Sequence, residues 1–128
     1  MRWYGRYDGK DTLDALEFVK YLMNAPIPRI ALENPISIIS TRIKQPTQYI
    51  QPYQFGHLET KKTCLWLKKL PTLTPTSNLK KETMKLPPKQ RQRIHYYWGK
   101  TVEDRRKVRS KTFQGIADAM ADQWGRLQ

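Results

Sequence analysis

The sequence predicts an α/β fold on three observations: an amphipathic helical pattern near its start, a short apolar run between prolines just after it, and a second amphipathic pattern at its end. At 128 residues there is room for one hydrophobic core, so residues 1–128 read as a single domain. Within it, residues 71–111 form a basic, loop-rich and partly irregular insertion.

From about Asp11 to Asn24, Leu13, Leu16, Val19, Leu22 and Met23 recur at helical spacing. Asp11 or Thr12 can cap this helix, and Asp14 and Glu17 set negative charge near the positive end of its dipole. Ala25-Pro26-Ile27-Pro28 stops it, because proline cannot continue a helix and restricts the residue before it. Arg29-Ile30-Ala31-Leu32-Glu33 is mostly apolar and bounded by prolines, the pattern of a buried strand. Ligands of an α/β sheet gather at the carboxyl ends of its strands, which is where Glu33 is expected to sit.

Asn34 to Gln48 reads as a loop anchored by Ile36, Ile38 and Ile39. Tyr49–Gln51 and Lys62–Leu67 read as two further strands flanking a turn at Gly56. Pro71 to Lys89 is rich in Pro, Thr, Ser and Lys and poor in core residues, so an extended or mobile loop is expected. In the last element Phe113, Ile116, Ala117, Met120, Ala121 and Trp124 form an apolar stripe behind a cap at Thr112. That helix is expected to pack on the sheet.

The formal net charge is +13, and its distribution is uneven. Residues 61–111 hold 16 Lys or Arg against Glu82, Glu103 and Asp104, a surplus equal to that of the whole chain. Elsewhere 8 basic residues balance 8 acidic ones. Lysines also keep proteins soluble, but charge gathered in one segment is the footprint of a surface that faces phosphates. Arg91-Gln92-Arg93-Ile94-His95-Tyr96-Tyr97-Trp98 adds aromatics among the cations, which suits phosphate contact with base stacking or, equally, an edge strand with a basic outer face. The candidate nucleic-acid-binding set is Arg42, Lys80, Lys81, Arg91, Arg93, Tyr96, Trp98, Arg105, Arg106 and Lys107.

No stretch approaches the ~18 consecutive apolar residues of a membrane span, and the first residues have no apolar signal-peptide core, so a cytoplasmic protein without membrane contact is expected. The lone cysteine, Cys64, excludes an internal disulfide framework and a multi-cysteine zinc site. His57 and His95 are far apart without ligand-spaced companions, so each reads as a surface or hydrogen-bonding histidine and no metal is expected.

Four blocks carry a family resemblance: IPRIALENPI at 27–36 followed by Ser40-Thr41-Arg42; IQPYQFG at 50–56; KTCLWLKKLP at 62–71; and RSKTFQGIA at 109–117 through Gln123-Trp124-Gly125. In this order they resemble the C-terminal half of phage and prophage DNA cytosine methyltransferases, whereas residues 80–107 match poorly. The resemblance implies a partial Rossmann-like, methyltransferase-type sheet with a C-terminal amphipathic helix, in a protein of a bacterial host cell. It also implies a role for Glu33-Asn34, which is similar to the Glu-Asn-Val element whose glutamate holds the ring edge of a flipped cytosine. Such a contact makes the neighbouring ring carbon electrophilic. The alternative is that Glu33 caps the loop or pairs with Arg42.

The same family needs a Gly-rich turn for S-adenosylmethionine and a Pro-Cys loop for the nucleophile, and both would precede the equivalent of Met1. Cys64 lies in a strand-like apolar setting where a thiol is inert packing. Asn34-Pro35-Ile36-Ser37 departs at its third and fourth positions from the Asn-Pro-Pro-aromatic loop of amine methylation. The expectation is therefore a non-catalytic, phage-derived, methyltransferase-like protein that binds nucleic acid or a nucleoprotein complex and holds S-adenosylmethionine only if a partner chain completes it. The rivals are a subunit of a split DNA cytosine methyltransferase and an anti-defence inhibitor of the anti-CRISPR or anti-restriction kind. Half of a doubly wound fold leaves an unpaired sheet edge and a bare apolar face, so a homo-oligomer or a partner protein is also expected.

Overall fold

The computed structural model describes residues 9–35, 38–92, 101, 103, 104, 107 and 112–127. They form a mixed α/β arrangement of α1 (Lys10–Met23), β1 (Ile30–Pro35), α2 (Ile39–Arg42), β2 (Gln48–Ile50), a 3-10 turn (Pro52–Gln54), β3 (Thr63–Lys68), α3 (Lys80–Met84), α4 (Pro88–Arg91) and α5 (Gln114–Trp124). The strands make one small sheet in the order β1-β3-β2, with β1 antiparallel to β3. Two compact units result, residues 1–49 with 63–72 and residues 50–62 with 73–128.

In the first unit α1 forms where the 3.6-residue period predicts it. Leu16 is buried, and Val19 and Met23 pack against a core of Leu16, Ile39, Cys64 and Trp66. Leu13, expected in the apolar stripe, is 48% exposed instead. The helix begins before the caps that the sequence offers: Gly9 is the N-cap and makes no side-chain cap bond. Its C-terminus closes on Asn24, whose backbone N–H and side-chain amide both donate to the Lys20 carbonyl before Pro26 intervenes.

β1 departs from the buried strand that the sequence suggests. It stands at the edge of the sheet, and its residues alternate: Ile30, Leu32 and Asn34 are half-buried while Ala31 and Glu33 are exposed. Leu32 opposes Trp66 and Asn34 opposes Cys64, so these residues share the face that meets the core. The strand also continues to Pro35, opposite Thr63, so Glu33 lies within the ladder opposite Leu65 and not at the strand's carboxyl end. Between the strands, where a loop is expected, Ile39–Arg42 winds into the single turn of α2 and buries Ile39. The central strand β3 is tied to the chain before β2: Trp66 Nε1 donates to the Lys44 carbonyl at 2.8 Å, and the Thr47 N–H donates to the Leu65 carbonyl at 2.8 Å. Lys68 Nζ donates to the Ala25 carbonyl at 3.1 Å.

In the second unit the 3-10 turn is held by reciprocal bonds between Gln51 and Gln54, a capping box. Gly56 follows at φ 87°, a left-handed conformation that any side chain would strain, which is why the turn sits there. Residues 71–89 are better anchored than a loop of Pro, Thr, Ser and Lys suggests. The N–H groups of Thr76 and Ser77 donate to the Gln54 carbonyl, Gly56 N–H donates to Ser77, and Leu79 N–H donates to Tyr53. Leu73 and Thr83 are buried, and α3 and α4 form on either side of Pro87. In α5, Phe113 is the N-cap in place of Thr112, and the buried face runs through Ile116 and Ala119 while Ala121 is exposed. The rest of the expected stripe, Ala117, Met120 and Trp124, is half-buried, and α5 belongs to the second unit, not to the unit that holds β1 and most of the sheet.

Candidate nucleic-acid interface

The cations of the insertion that fall within the described residues sit on short, polar elements. Lys80 and Lys81 open α3, Lys85 follows it, and Lys89 lies in α4, and all four are exposed. Positive charge in the first turn of a helix opposes the helix dipole, so Lys80 and Lys81 are not there to stabilise α3; Glu82 is the residue of that turn with the favourable sign. The local chain direction is set instead by Asn78, whose side-chain oxygen accepts from the Lys80 N–H at 3.1 Å.

Arg91 differs from these lysines. Its Nη1 donates to the carbonyls of Met84 and Leu86, at 3.2 and 3.1 Å, so the guanidinium clamps the turn between α3 and α4. Its own carbonyl accepts from the Thr60 N–H at 2.7 Å. Expected from the sequence as a phosphate ligand, Arg91 thus has a role within the fold as well, its charge set against the carbonyls of a helix end. Arg42 and Lys107 are exposed. Arg93, Tyr96, Trp98, Arg105 and Arg106, together with His95, lie outside the described residues.

Glu33 is exposed on the face of β1 opposite to the core, and it pairs with neither Arg42 nor any other cation among the described residues. Asn34, its neighbour, points to the other face and is half-buried opposite Cys64. The two side chains therefore do not converge on one ligand from within this strand, because neighbours on a strand point to opposite faces. Cys64 is 0% exposed, which keeps its thiol from any substrate.

His57 is a hydrogen-bonding histidine, as its setting suggests. Its Nε2 accepts from the Gly115 N–H at 2.9 Å, and its ring meets that of Phe113 edge to face at 5.1 Å. Among the described residues no three His, Cys, Asp or Glu side chains gather as a metal site, and no helix is long and apolar enough to cross a membrane.

Sequence reasoning did not find the Arg91 clamp or the tie between Gln123 and Thr74, in which the glutamine amide accepts from the Thr74 N–H at 2.8 Å and donates to its carbonyl at 2.9 Å. Gln123 carried no signal, since it sits outside the apolar stripe of α5. No protein-family model, curated protein or solved structure matches the chain.

Proposed function

We propose that this chain is a methyltransferase-like protein that binds nucleic acid through the phosphate backbone and does not transfer methyl groups by itself. The observation that carries the reading is the confinement of the entire +13 surplus to residues 61–111, with Lys80, Lys81, Lys85 and Lys89 exposed on α3, α4 and the turn between them. Lysines on short polar helices are mobile point charges, suited to phosphates whose spacing varies and not to planar, bidentate readout of bases. Binding of this kind is sequence-tolerant and steeply dependent on salt.

The buried thiol of Cys64 supports the absence of catalysis by this chain alone, since the cytosine reaction needs a thiolate that can reach the base. The test is fluorescence anisotropy with short DNA and RNA duplexes and single strands across a salt series. Affinity should fall linearly in log–log form with added salt, with a slope of roughly −0.9 per phosphate neutralised on duplex DNA. No binding to any of the four at low salt overturns the reading.

A second reading, a subunit of a split DNA cytosine methyltransferase, has one observation in its favour. β1 carries the exposed Glu33 on an edge strand, and among the described residues no further strand lies along its outer edge. Doubly wound sheets commonly hold an antiparallel strand at the margin of an otherwise parallel sheet, and the β1-β3 pair is compatible with such a margin of a Rossmann-like fold. A second chain bearing the donor turn and the Pro-Cys loop would then supply S-adenosylmethionine and the nucleophile. Mixing the two and following labelled methyl transfer to DNA decides it, and transfer that is unchanged by Glu33→Gln counts against it.

A further inference from the structure

The first unit contains a half-open cleft of about 400 Å³ whose walls include none of the candidate nucleic-acid-binding residues. They come from the C-terminal end of α1, the core-facing side of β1, the end of β3 and the chain after α2; Met23, Ile30, Leu32 and Trp66 supply apolar surface. Two cations, Lys44 and Lys68, line the same space, and no Asp or Glu does. Lys44 makes no ion pair among the described residues. The Lys68 ammonium donates to the Ala25 carbonyl at 3.1 Å, and a bond to one carbonyl leaves two of its three N–H donors for other acceptors.

The volume falls in the range of pockets that hold small organic ligands, and the walls present both apolar side chains and polar groups. Charge decides the class. A neutral apolar occupant would leave the Lys68 ammonium without a counter-charge, and an inorganic anion would leave the apolar wall wet. An organic anion with a flat apolar body satisfies both, because its body covers Leu32 and Ile30 while its charged end meets Lys44 and Lys68.

We propose that this cleft is a binding site for a small organic anion of that kind, of which a nucleoside monophosphate is one form. The site uses residues of the first unit alone, and it does not depend on the basic surface of α3 and α4.

The test titrates the full chain with adenosine monophosphate and, separately, with anilinonaphthalene sulfonate, while following the indole N–H resonance of Trp66. That proton is bonded to the Lys44 carbonyl, so an occupant of the cleft moves it. Saturable one-to-one binding of either probe with a shift at Trp66 is expected, weakened about ten-fold by Lys44→Met or Lys68→Met, the effect of one charge-assisted hydrogen bond. Lys44 is exposed and its fold-supporting group is its backbone carbonyl, so Lys44→Met keeps the test valid even if Lys68→Met unfolds the unit. Binding of adenosine monophosphate alone assigns the site to nucleotides, and binding of both probes assigns it to organic anions more broadly. No binding of either at millimolar concentration, binding that leaves Trp66 unmoved, or binding indifferent to Lys44→Met overturns the proposal.

Discussion

His57 and Gly115 are joined across 58 positions of sequence by a single hydrogen bond, the backbone N–H of Gly115 donating to Nε2 of the imidazole at 2.9 Å. A backbone N–H can only donate, so Nε2 carries a lone pair and the ring proton sits on Nδ1. The bond falls in the first turn of α5, where N–H groups have no partner inside the helix, and His57 acts as a cap delivered from outside. The edge of its ring on Phe113 holds it in place.

Substitution at either end should therefore loosen α5. A Cβ at position 115 would overlap the Phe55 carbonyl oxygen, a backbone group that cannot swing away, so Gly115→Ala is expected to cost more than the helix propensity of alanine returns, about 2 kcal/mol or above. His57→Ala leaves the N–H without its acceptor and should cost ~1–3 kcal/mol. Chemical denaturation followed by far-UV circular dichroism measures both, and an unchanged midpoint for Gly115→Ala contradicts the close approach.

Thr83 gives a prediction of opposite sign. It is fully buried in α3, and its hydroxyl has no hydrogen-bond partner among the described residues. Valine has nearly the same shape without the polar atom. Thr83→Val should raise stability by about 1 kcal/mol, the desolvation cost of an unmet hydroxyl. A thermal midpoint that drops on this change would mean that the hydroxyl has a partner.

The parts of this fold that were legible in the sequence are those governed by local period. Leu16, Val19 and Met23 announce α1, and the two strands flanking Gly56 follow from a turn residue between two apolar runs. What was not legible depends on distant neighbours. Ile30-Ala31-Leu32-Glu33 is too short for its pattern to tell an edge strand from a buried one, because the cover on its second face comes from elsewhere in the chain. The stripe of α5 was misread by one small residue: Ala117, Ala119 and Ala121 are chemically equivalent, and only packing selects Ala119. The role of Arg91 required knowing that α3 and α4 bring the carbonyls of Met84 and Leu86 to one point. For the candidate interface, composition located the charge, while the division of that charge between exposed lysines and a structural arginine emerged only with the fold.

Gln123 should matter more than its place on the polar side of α5 suggests. Its amide makes both bonds of an extended partner to Thr74, tying α5 to the chain that leads into α3. Gln123→Ala should cost about 1–2 kcal/mol, two exposed bonds of ordinary strength. Amide exchange should accelerate at Thr74 in particular, and equal exchange there in the two proteins removes the tie from consideration.

The cations of α3 and α4 permit a test in which stability and binding part company. Lys80 and Lys81 are exposed, sit at the wrong end of a helix dipole and make no ion pair among the described residues. Replacing both with alanine should leave the unfolding midpoint within about 0.5 kcal/mol of its value or raise it slightly, since surface changes away from caps and cores are small. If they meet phosphates, the same change lowers the salt slope of nucleic-acid binding by roughly 0.9 for each phosphate that is no longer neutralised. Arg91→Ala should behave the other way. It removes a guanidinium from two backbone carbonyls, so about 1–3 kcal/mol of stability goes with it. The salt slope should stay nearly unchanged, well short of the roughly 0.9 that one lost phosphate contact gives, because that guanidinium is turned to the chain. Equal salt slopes for the wild type and the Lys80→Ala/Lys81→Ala protein would take the phosphate-binding role away from α3, whatever the affinity.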